Sequence, residues 1–107
     1  MIIVEFSVVP LGTGSTSVSD YVSRACREVE KSGVSYMITP MGTIIETDTI
    51  DKAFEVIKRA HEAVIKAGAK RVSTSIKIDD RRDKERRMED KVKAVKVKKV
   101  YSYDKGS

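Results

Sequence analysis

The sequence predicts an α+β fold, a two-layer α/β sandwich in which helices cover one face of a single sheet. Three observations support this prediction. Four short segments are rich in β-branched residues and alternate in polarity, as strands do, and two longer segments repeat apolar residues at helical spacing. The 107 residues, 40% hydrophobic and 35% charged, also suit one domain over 1–107 with a single core.

The first strand and the first helix are joined by a loop of small residues. The segment IIVEFSVVP at residues 2–10 has apolar residues at every even position, so these side chains share one face of a strand. LGTGSTS follows as a loop, with Ser17 or Ser19 as a possible helix N-cap. The first helix then carries an apolar stripe of Val18, Val22, Ala25 and Val29 and ends at Gly33.

A β-hairpin, a second helix and a fourth strand complete the main body. The β-rich segments 34–40 and 43–48 predict two strands joined by a tight turn at Met41-Gly42. Asp48 or Thr49 caps a helix that continues to about Ala67, and residues 70–79 alternate as the last strand. The stripe predicted to pack this second helix on the sheet consists of Ile50, Phe54, Ile57 and Val64.

The C-terminal region is strongly charged. Residues 80–107 carry 11 basic and 6 acidic residues, whereas residues 1–79 carry 10 of each, so the whole net charge of +5 belongs to this region. Met88, Val92 and Val95 predict a third helix over about 83–99, although VKVKKV also fits an edge strand, and residues 100–107 are expected to form a loose tail. Mixed charges at helical spacing favour a solvated face, so nucleic acid is an unlikely partner.

The order βαββαβ with an additional C-terminal helix predicts a ferredoxin-like fold, with both main helices on one face of an antiparallel sheet. Strand alternation places the other residues on the opposite face, which we call the open face. Its predicted members are Glu5, Ser7, Val9, Ser35, Met37, Thr39, Ile44, Glu46, Arg71, Ser73, Ser75 and Lys77. The side predicted to meet the helices carries Ile2, Val4, Phe6, Val8, Val34, Tyr36, Ile38, Ile45, Val72, Thr74, Ile76 and Ile78.

Several function classes conflict with this composition. The lone Cys26 excludes an intramolecular disulfide or a paired-thiol metal loop, and it is expected to pack against the sheet. His61 is expected at the boundary of the second helix, so no metal or other cofactor is predicted. No acid has an evident catalytic companion, which argues against an enzyme. The absence of a long apolar run and of a leader before Glu5 predicts a cytoplasmic protein without membrane contact.

Glu46 stands out on the open face because a carboxylate there can accept hydrogen bonds from a ligand amino group or pair with a cation. Three alternatives remain open for this face and its surroundings. It can be an ordinary solvated surface, or Glu46 or Glu5 can form a salt bridge to Arg71 or Lys77 of another subunit. It can be an assembly interface, since Val9, Met37 and Ile44 would otherwise be exposed together. The glycine-rich loop can bind an anion, although a flexible connection is the simpler interpretation.

Three segments, EFSVVPLGTGSTSVSDYV, YMITPMGTIIETD and GAKRVSTSIKIDDRRD, resemble the YkoF-like thiamine-binding family in both order and spacing. The resemblance covers nearly the whole chain. It implies a ferredoxin-like subunit that dimerises through its sheet, often to a homotetramer, and binds thiamine or its hydroxymethyl-pyrimidine moiety without turnover. Family sequences usually have glycine after the hairpin glutamate, whereas this chain has Thr47-Asp48.

The positions that match the family motifs include the Pro10-Leu11-Gly12 turn, Gly42 and seven expected ligand-binding residues, and the resemblance implies no catalytic or metal-binding ones. Glu46 is hypothesised to accept a hydrogen bond from the pyrimidine edge or to offset the thiazolium charge. The alternative function is a structural or regulatory subunit that binds no thiamine and holds a small anion at the glycine-rich loop or near Arg81 and Arg82. The expected ligand-binding residues are Ser7, Thr39, Met41, Thr43, Glu46, Arg71 and Ser75.

Overall fold

The structure, a computed structural model, describes residues 1–14, 18–83 and 88–89 and confirms the ferredoxin-like α+β arrangement. The described elements form one four-stranded antiparallel sheet in the order β2-β3-β1-β4, with the two helices on one face. Their bounds are β1 Ile2–Pro10, α1 Ser19–Lys31, β2 Ser35–Thr39, β3 Gly42–Thr47, α2 Ile50–Lys66 and β4 Val72–Asp80.

The register of the sheet confirms the predicted division into a helix-facing side and an open face. Val4 lies opposite Ile45 on β3 and Ile78 on β4, so these three side chains share the helix-facing side. Glu5 lies opposite Ile44 and Lys77, which places those residues together on the open face. Strand alternation therefore predicted both faces correctly, because no bulge interrupts the pairing.

The core lies between the sheet and the two helices. β1 contributes four side chains to this core, and α1 contributes only two, Ala25 and Val29. α2 contributes more, because its buried residues follow one another at helical spacing over the whole helix. The core residues are Ile2, Val4, Phe6, Val8, Ala25, Val29, Ile45, Ala53, Val56, Ile57, Ala60, Val64 and Ala69.

The prediction that Phe54 and Val22 are buried in the core is wrong. Phe54 is 45% exposed, because the stripe that α2 buries is centred on Ala53, Ala60 and Val64, and Phe54 lies to one side of it. Val22 on α1 is 39% exposed, because it borders a cavity rather than the core. Ile76 and Ile78 do lie on the helix-facing side, but both remain partly exposed at the edge strand β4.

The predicted element ends are largely confirmed. Thr49 caps α2, because its side-chain oxygen accepts a hydrogen bond from the Lys52 amide. Gly33 follows α1 with a φ of 81°, a left-handed conformation that glycine adopts without strain. The N-cap of α1 is instead Val18, which provides no side-chain hydrogen bond, while Ser17 lies outside the described residues. The hairpin turn is Pro40-Met41, since Thr39 pairs with Gly42.

The predicted C-terminal helix falls mostly outside the described residues, as does the predicted tail. Met88 and Glu89 are helical, and nothing further of residues 83–99 tests the alternative between helix and edge strand. Within the described part of the chain, no helix combines the length and the apolar character needed to cross a bilayer.

Candidate functional site

The central strand β1 extends beyond its neighbour β3, which leaves a notch in the sheet. β1 pairs with β3 only over residues 2–6, whereas it pairs with β4 as far as Pro10. β3 begins at Gly42, directly after the hairpin turn. The last four residues of β1 therefore have a strand on one side only, although β1 is central in the sheet.

A cavity of about 200 Å³ occupies this notch, and we call it the hairpin crevice. Residues 6–9 of β1 form one wall, residues 38–43 of the hairpin form a second, and one face of α1 forms the third. The α1 wall consists of Val22, Ala25, Cys26 and Val29. Most of these side chains are apolar, so the crevice suits a flat apolar group with a few polar atoms.

Cys26 and Thr43 provide polar groups in the crevice. Thr43 lies opposite Phe6, on the helix-facing side of β3, and is buried. Burial raises the pKa of the Cys26 thiol, and a hydrogen bond with the Thr43 side chain acts in the opposite direction. The thiol therefore stays protonated at neutral pH, and its hydrogen-bonding partner in the crevice is the Thr43 side chain.

Thr39 closes the hairpin turn. Its hydroxyl accepts hydrogen bonds from the amides of Met41 at 3.3 Å and Gly42 at 3.1 Å, and it donates to the Gly42 carbonyl at 2.9 Å. These bonds hold the turn against the mouth of the hairpin crevice. The side chain of Met41 extends from the same turn and is 84% exposed.

A shallower pocket of about 130 Å³ lies on the open face beside the hairpin turn. Ser7 and Ser75 face each other across β1 and β4 and line this pocket with Glu5, Met41 and Lys77. Ser7 and Met41 also line the hairpin crevice, so the two cavities lie on either side of the same residues. We call this second cavity the open-face pocket.

Glu46 lies at the opposite end of the sheet from these cavities. It is on the open face beside Ile3 and Ser35, and only 6% of it is exposed. Its carboxylate accepts a hydrogen bond of 3.0 Å from the backbone amide of Met88. It lies three positions after Thr43 on β3, which corresponds to about 10 Å along the strand. Glu46 therefore holds Met88 against the open face of the sheet.

The structure gathers most of the predicted ligand residues but does not bring all seven together. Ser7, Thr39, Met41 and Thr43 line the hairpin crevice, and Ser75 joins two of them at the open-face pocket. Glu46 lies apart, and Arg71 precedes β4, where its carbonyl accepts a hydrogen bond from Leu11. Thr43 faces the helices rather than the open face, because it lies opposite Phe6.

Sequence reasoning did not single out Val22 and Cys26 as lining residues. Both lie on the apolar side of α1, and their spacing alone does not distinguish a core position from a cavity wall. The sequence did contain one signal for the crevice itself. Pro10 ends β1 and has no N–H to donate, which indicates that this end of the strand lacks a neighbouring strand on one side.

The remaining candidates have structural partners. His61 Nδ1 lies 2.7 Å from Thr74 Oγ1, which joins α2 to β4 at the boundary position predicted for this histidine. Arg81 and Arg82 form ion pairs with Asp83 and Asp80, each at 2.7 Å, so these two cations are already paired. Among the described residues, no cluster of three or more histidine, cysteine or acidic side chains could hold a metal ion.

Comparisons with known proteins agree with the resemblance seen in the sequence. Residues 4–96 match the model of a family described as thiamine-binding protein. A UPF0045 protein from Methanothermobacter thermautotrophicus is 51% identical over 98 residues, which cover 92% of this chain and 99% of that relative.

Solved structures share the fold. A hypothetical protein from Methanocaldococcus jannaschii superposes with a TM-score of 0.80 at 39% identity, covering 88% of this chain and 94% of that one. A Thermotoga maritima protein, provisionally assigned to thiamine biosynthesis or salvage, superposes with a TM-score of 0.73 at 20% identity. That match covers 87% of this chain and 97% of the other, and at this identity it shows the fold alone.

Proposed function

Because this chain belongs to the thiamine-binding protein family, we propose that it binds thiamine or its hydroxymethyl-pyrimidine moiety as a homo-oligomeric cytoplasmic protein, without turnover. The observation that carries the proposal is the hairpin crevice. It gathers four of the predicted ligand residues, Ser7, Thr39, Met41 and Thr43, around one mostly apolar cavity.

The size of the crevice favours the pyrimidine part of thiamine. Pockets for drug-sized ligands measure about 300–1,000 Å³, whereas the hairpin crevice holds about 200 Å³. One heteroaromatic ring with small substituents fits this volume better than two linked rings. The thiazolium ring then lies outside the crevice, near Met41, where the open-face pocket presents Ser7 and Ser75.

Glu46 has two possible roles in this proposal. A carboxylate offers about four lone-pair positions, so Glu46 can accept from a ligand while it accepts from Met88. Its distance from the hairpin crevice instead favours an indirect role, in which the buried carboxylate holds the Met88 end of the chain against the open face. Arg71 has no contact with either cavity and is the other predicted residue without a ligand role here.

Self-association through the open face is part of the proposal. Val9 is exposed on this face, and Met37 and Ile44 are neighbours on it, so a second copy would remove a group of apolar side chains from water. A partner's sheet on this face would also cover the open-face pocket and complete the part of the site that the crevice leaves open.

Calorimetric titration of the purified protein with thiamine and with hydroxymethyl-pyrimidine tests the function, with light scattering on the same sample for the subunit number. Saturable binding at a simple ratio to subunits supports the proposal. A folded oligomer that binds neither compound, confirmed by an independent binding assay, contradicts it and favours the structural or regulatory subunit. Inorganic phosphate in the same titration tests the anion that this alternative requires.

Substituting Glu46 tests its two roles. If the carboxylate contacts the ligand, Glu46→Gln weakens thiamine binding by about tenfold or more with the fold intact, because a charge-assisted hydrogen bond is lost. If it only anchors Met88, Glu46→Gln retains an acceptor oxygen and the measured affinity stays close to wild type. Glu30→Gln, which neutralises an exposed glutamate on α1 outside both cavities, is the matched control.

A further inference from the structure

The main chain of β1 has polar groups directed into the hairpin crevice. In an antiparallel sheet, successive residues of a central strand direct their N–H and C=O groups alternately to the two neighbouring strands. The Leu11 amide donates to the Arg71 carbonyl at 2.9 Å, so Leu11 is directed towards the β4 side. Alternation then directs Val9 and Ser7 to β4, and Val8 to the side where β3 has already ended.

Two independent observations agree with this assignment. Gly42 approaches the Phe6 carbonyl so closely that an added Cβ would lie 2.9 Å from the oxygen, which places the Phe6 carbonyl on the β3 side, as alternation requires. Pro10, two residues after Val8, directs its main-chain groups to the same side as Val8. Its missing N–H therefore lies on the side without a neighbouring strand, where a central strand tolerates proline.

Val8 therefore presents an N–H donor and a C=O acceptor, side by side, to the notch. β3 has no residue paired with Val8, and among residues 1–14, 18–83 and 88–89 no turn or side chain makes a hydrogen bond with its main chain. All four consecutive residues 6–9 line the crevice. Because their side chains alternate between two faces, the crevice must border the edge of the strand itself.

A buried strand edge of this kind favours a hydrogen-bonding partner, because buried main-chain groups are nearly always paired. The volume of the cavity suits one ring, and Val22, Cys26 and Ile38 line it with mostly apolar atoms. A ligand that fits must place an acceptor and a donor next to each other on one edge of the ring.

We propose that the main chain of Val8 recognises the aminopyrimidine ring of the ligand, an inference that rests on the proposed function. The Val8 N–H donates to a ring nitrogen, and the Val8 carbonyl accepts from the adjacent exocyclic amino group. The ligand thereby extends the sheet by taking the position that β3 leaves vacant. Specificity for the 4-amino form follows, because a 4-oxo ring presents a carbonyl to the Val8 carbonyl.

The direct test is amide NMR of the isotope-labelled wild-type protein during titration with hydroxymethyl-pyrimidine, after calorimetry has shown binding. We expect the Val8 amide resonance to move and its hydrogen exchange to slow, since that amide gains an acceptor. A 4-oxo analogue of thiamine is expected to bind at least about tenfold more weakly than thiamine.

A matched pair of variants tests the position of the ligand. Val22→Phe fills the crevice from α1, and Ile65→Phe makes a similar change at an equally exposed position on α2, outside the crevice. We expect Val22→Phe to weaken binding by about tenfold or more and Ile65→Phe to leave it unchanged. Circular dichroism verifies that both variants fold.

The outcomes separate this inference from the function on which it rests. If the pyrimidine binds but the Val8 amide is unaffected and Val22→Phe binds like wild type, recognition by Val8 is wrong while the proposed function stands. If wild type binds neither pyrimidine nor thiamine, both proposals are contradicted. A Val8 response with equal affinity for the 4-oxo analogue overturns recognition of the amino group.

Discussion

At the scale of single residues, the clearest result concerns Glu46. Its position on the open face was predictable from strand alternation, but its burial was not, because a carboxylate on that face would be exposed without the contact from Met88. Buried carboxylates are retained where hydrogen bonds compensate their desolvation. Glu46, which the sequence suggested as a ligand contact, thus joins β3 to Met88 in the folded chain.

Thr39 provides a test at the same scale. Thr39→Val removes the hydroxyl that makes three hydrogen bonds in the turn, and leaves the amides of Met41 and Gly42 without that acceptor. We expect the free energy of unfolding to fall by about 1–2 kcal/mol in urea denaturation. Thr39→Ser keeps the hydroxyl and is expected to stay within about 0.5 kcal/mol of wild type. A loss in Thr39→Ser with none in Thr39→Val would show that the methyl group, not the hydroxyl, stabilises the turn.

At the scale of elements, the two helices are joined by a charged contact as well as by the core. Glu28 on α1 accepts hydrogen bonds of 3.3 Å from two guanidinium nitrogens of Arg59 on α2, and one of 3.4 Å from Lys31 on its own helix. Desolvation alone would raise the pKa of the Glu28 carboxyl, but the hydrogen bonds and charges of Lys31 and Arg59 outweigh it and lower that pKa.

This lowered pKa predicts a pH dependence of stability. Because the folded protein holds Glu28 ionised to lower pH than the unfolded chain does, its contribution is present at neutral pH and disappears as pH falls below the usual glutamate range. Wild type is therefore expected to be more stable than Glu28→Gln at pH 7, and the difference should narrow by pH 3 in urea denaturation. Glu30→Gln, an exposed change on the same helix, serves as the control. A difference that does not vary with pH would contradict the ion-pair explanation.

At the scale of the whole molecule, the two helices of the described residues leave one face of the sheet uncovered. Both described helices pack on the same side, since each βαβ crossover is right-handed. Val9, Met37 and Ile44 are therefore not covered by α1 or α2, and the described Met88 contact reaches only the Glu46 end of the open face. A second copy of the chain is the occupant that the proposed function requires there.

Val9→Glu tests this assembly. A carboxylate in the middle of an apolar contact between copies would be desolvated without a partner, so we expect the mass measured by light scattering to shift towards the monomer. Phe54→Glu changes an equally exposed apolar residue on the helical side and is expected to leave the mass unchanged. If only Phe54→Glu dissociates the oligomer, the interface lies on the helices instead.

The sequence by itself determined the order of the elements, the two faces of the sheet and the ends of α2, because alternation, helical spacing and capping depend on residues close together in the chain. It did not determine that β1 extends beyond β3, that Phe54 lies beside the buried stripe of α2, or that the Met88 amide contacts Glu46. Each of these depends on where distant segments end and meet. The hairpin crevice exists because a strand, a hairpin turn and a helix stop at different points along the sheet, which only the tertiary structure decides.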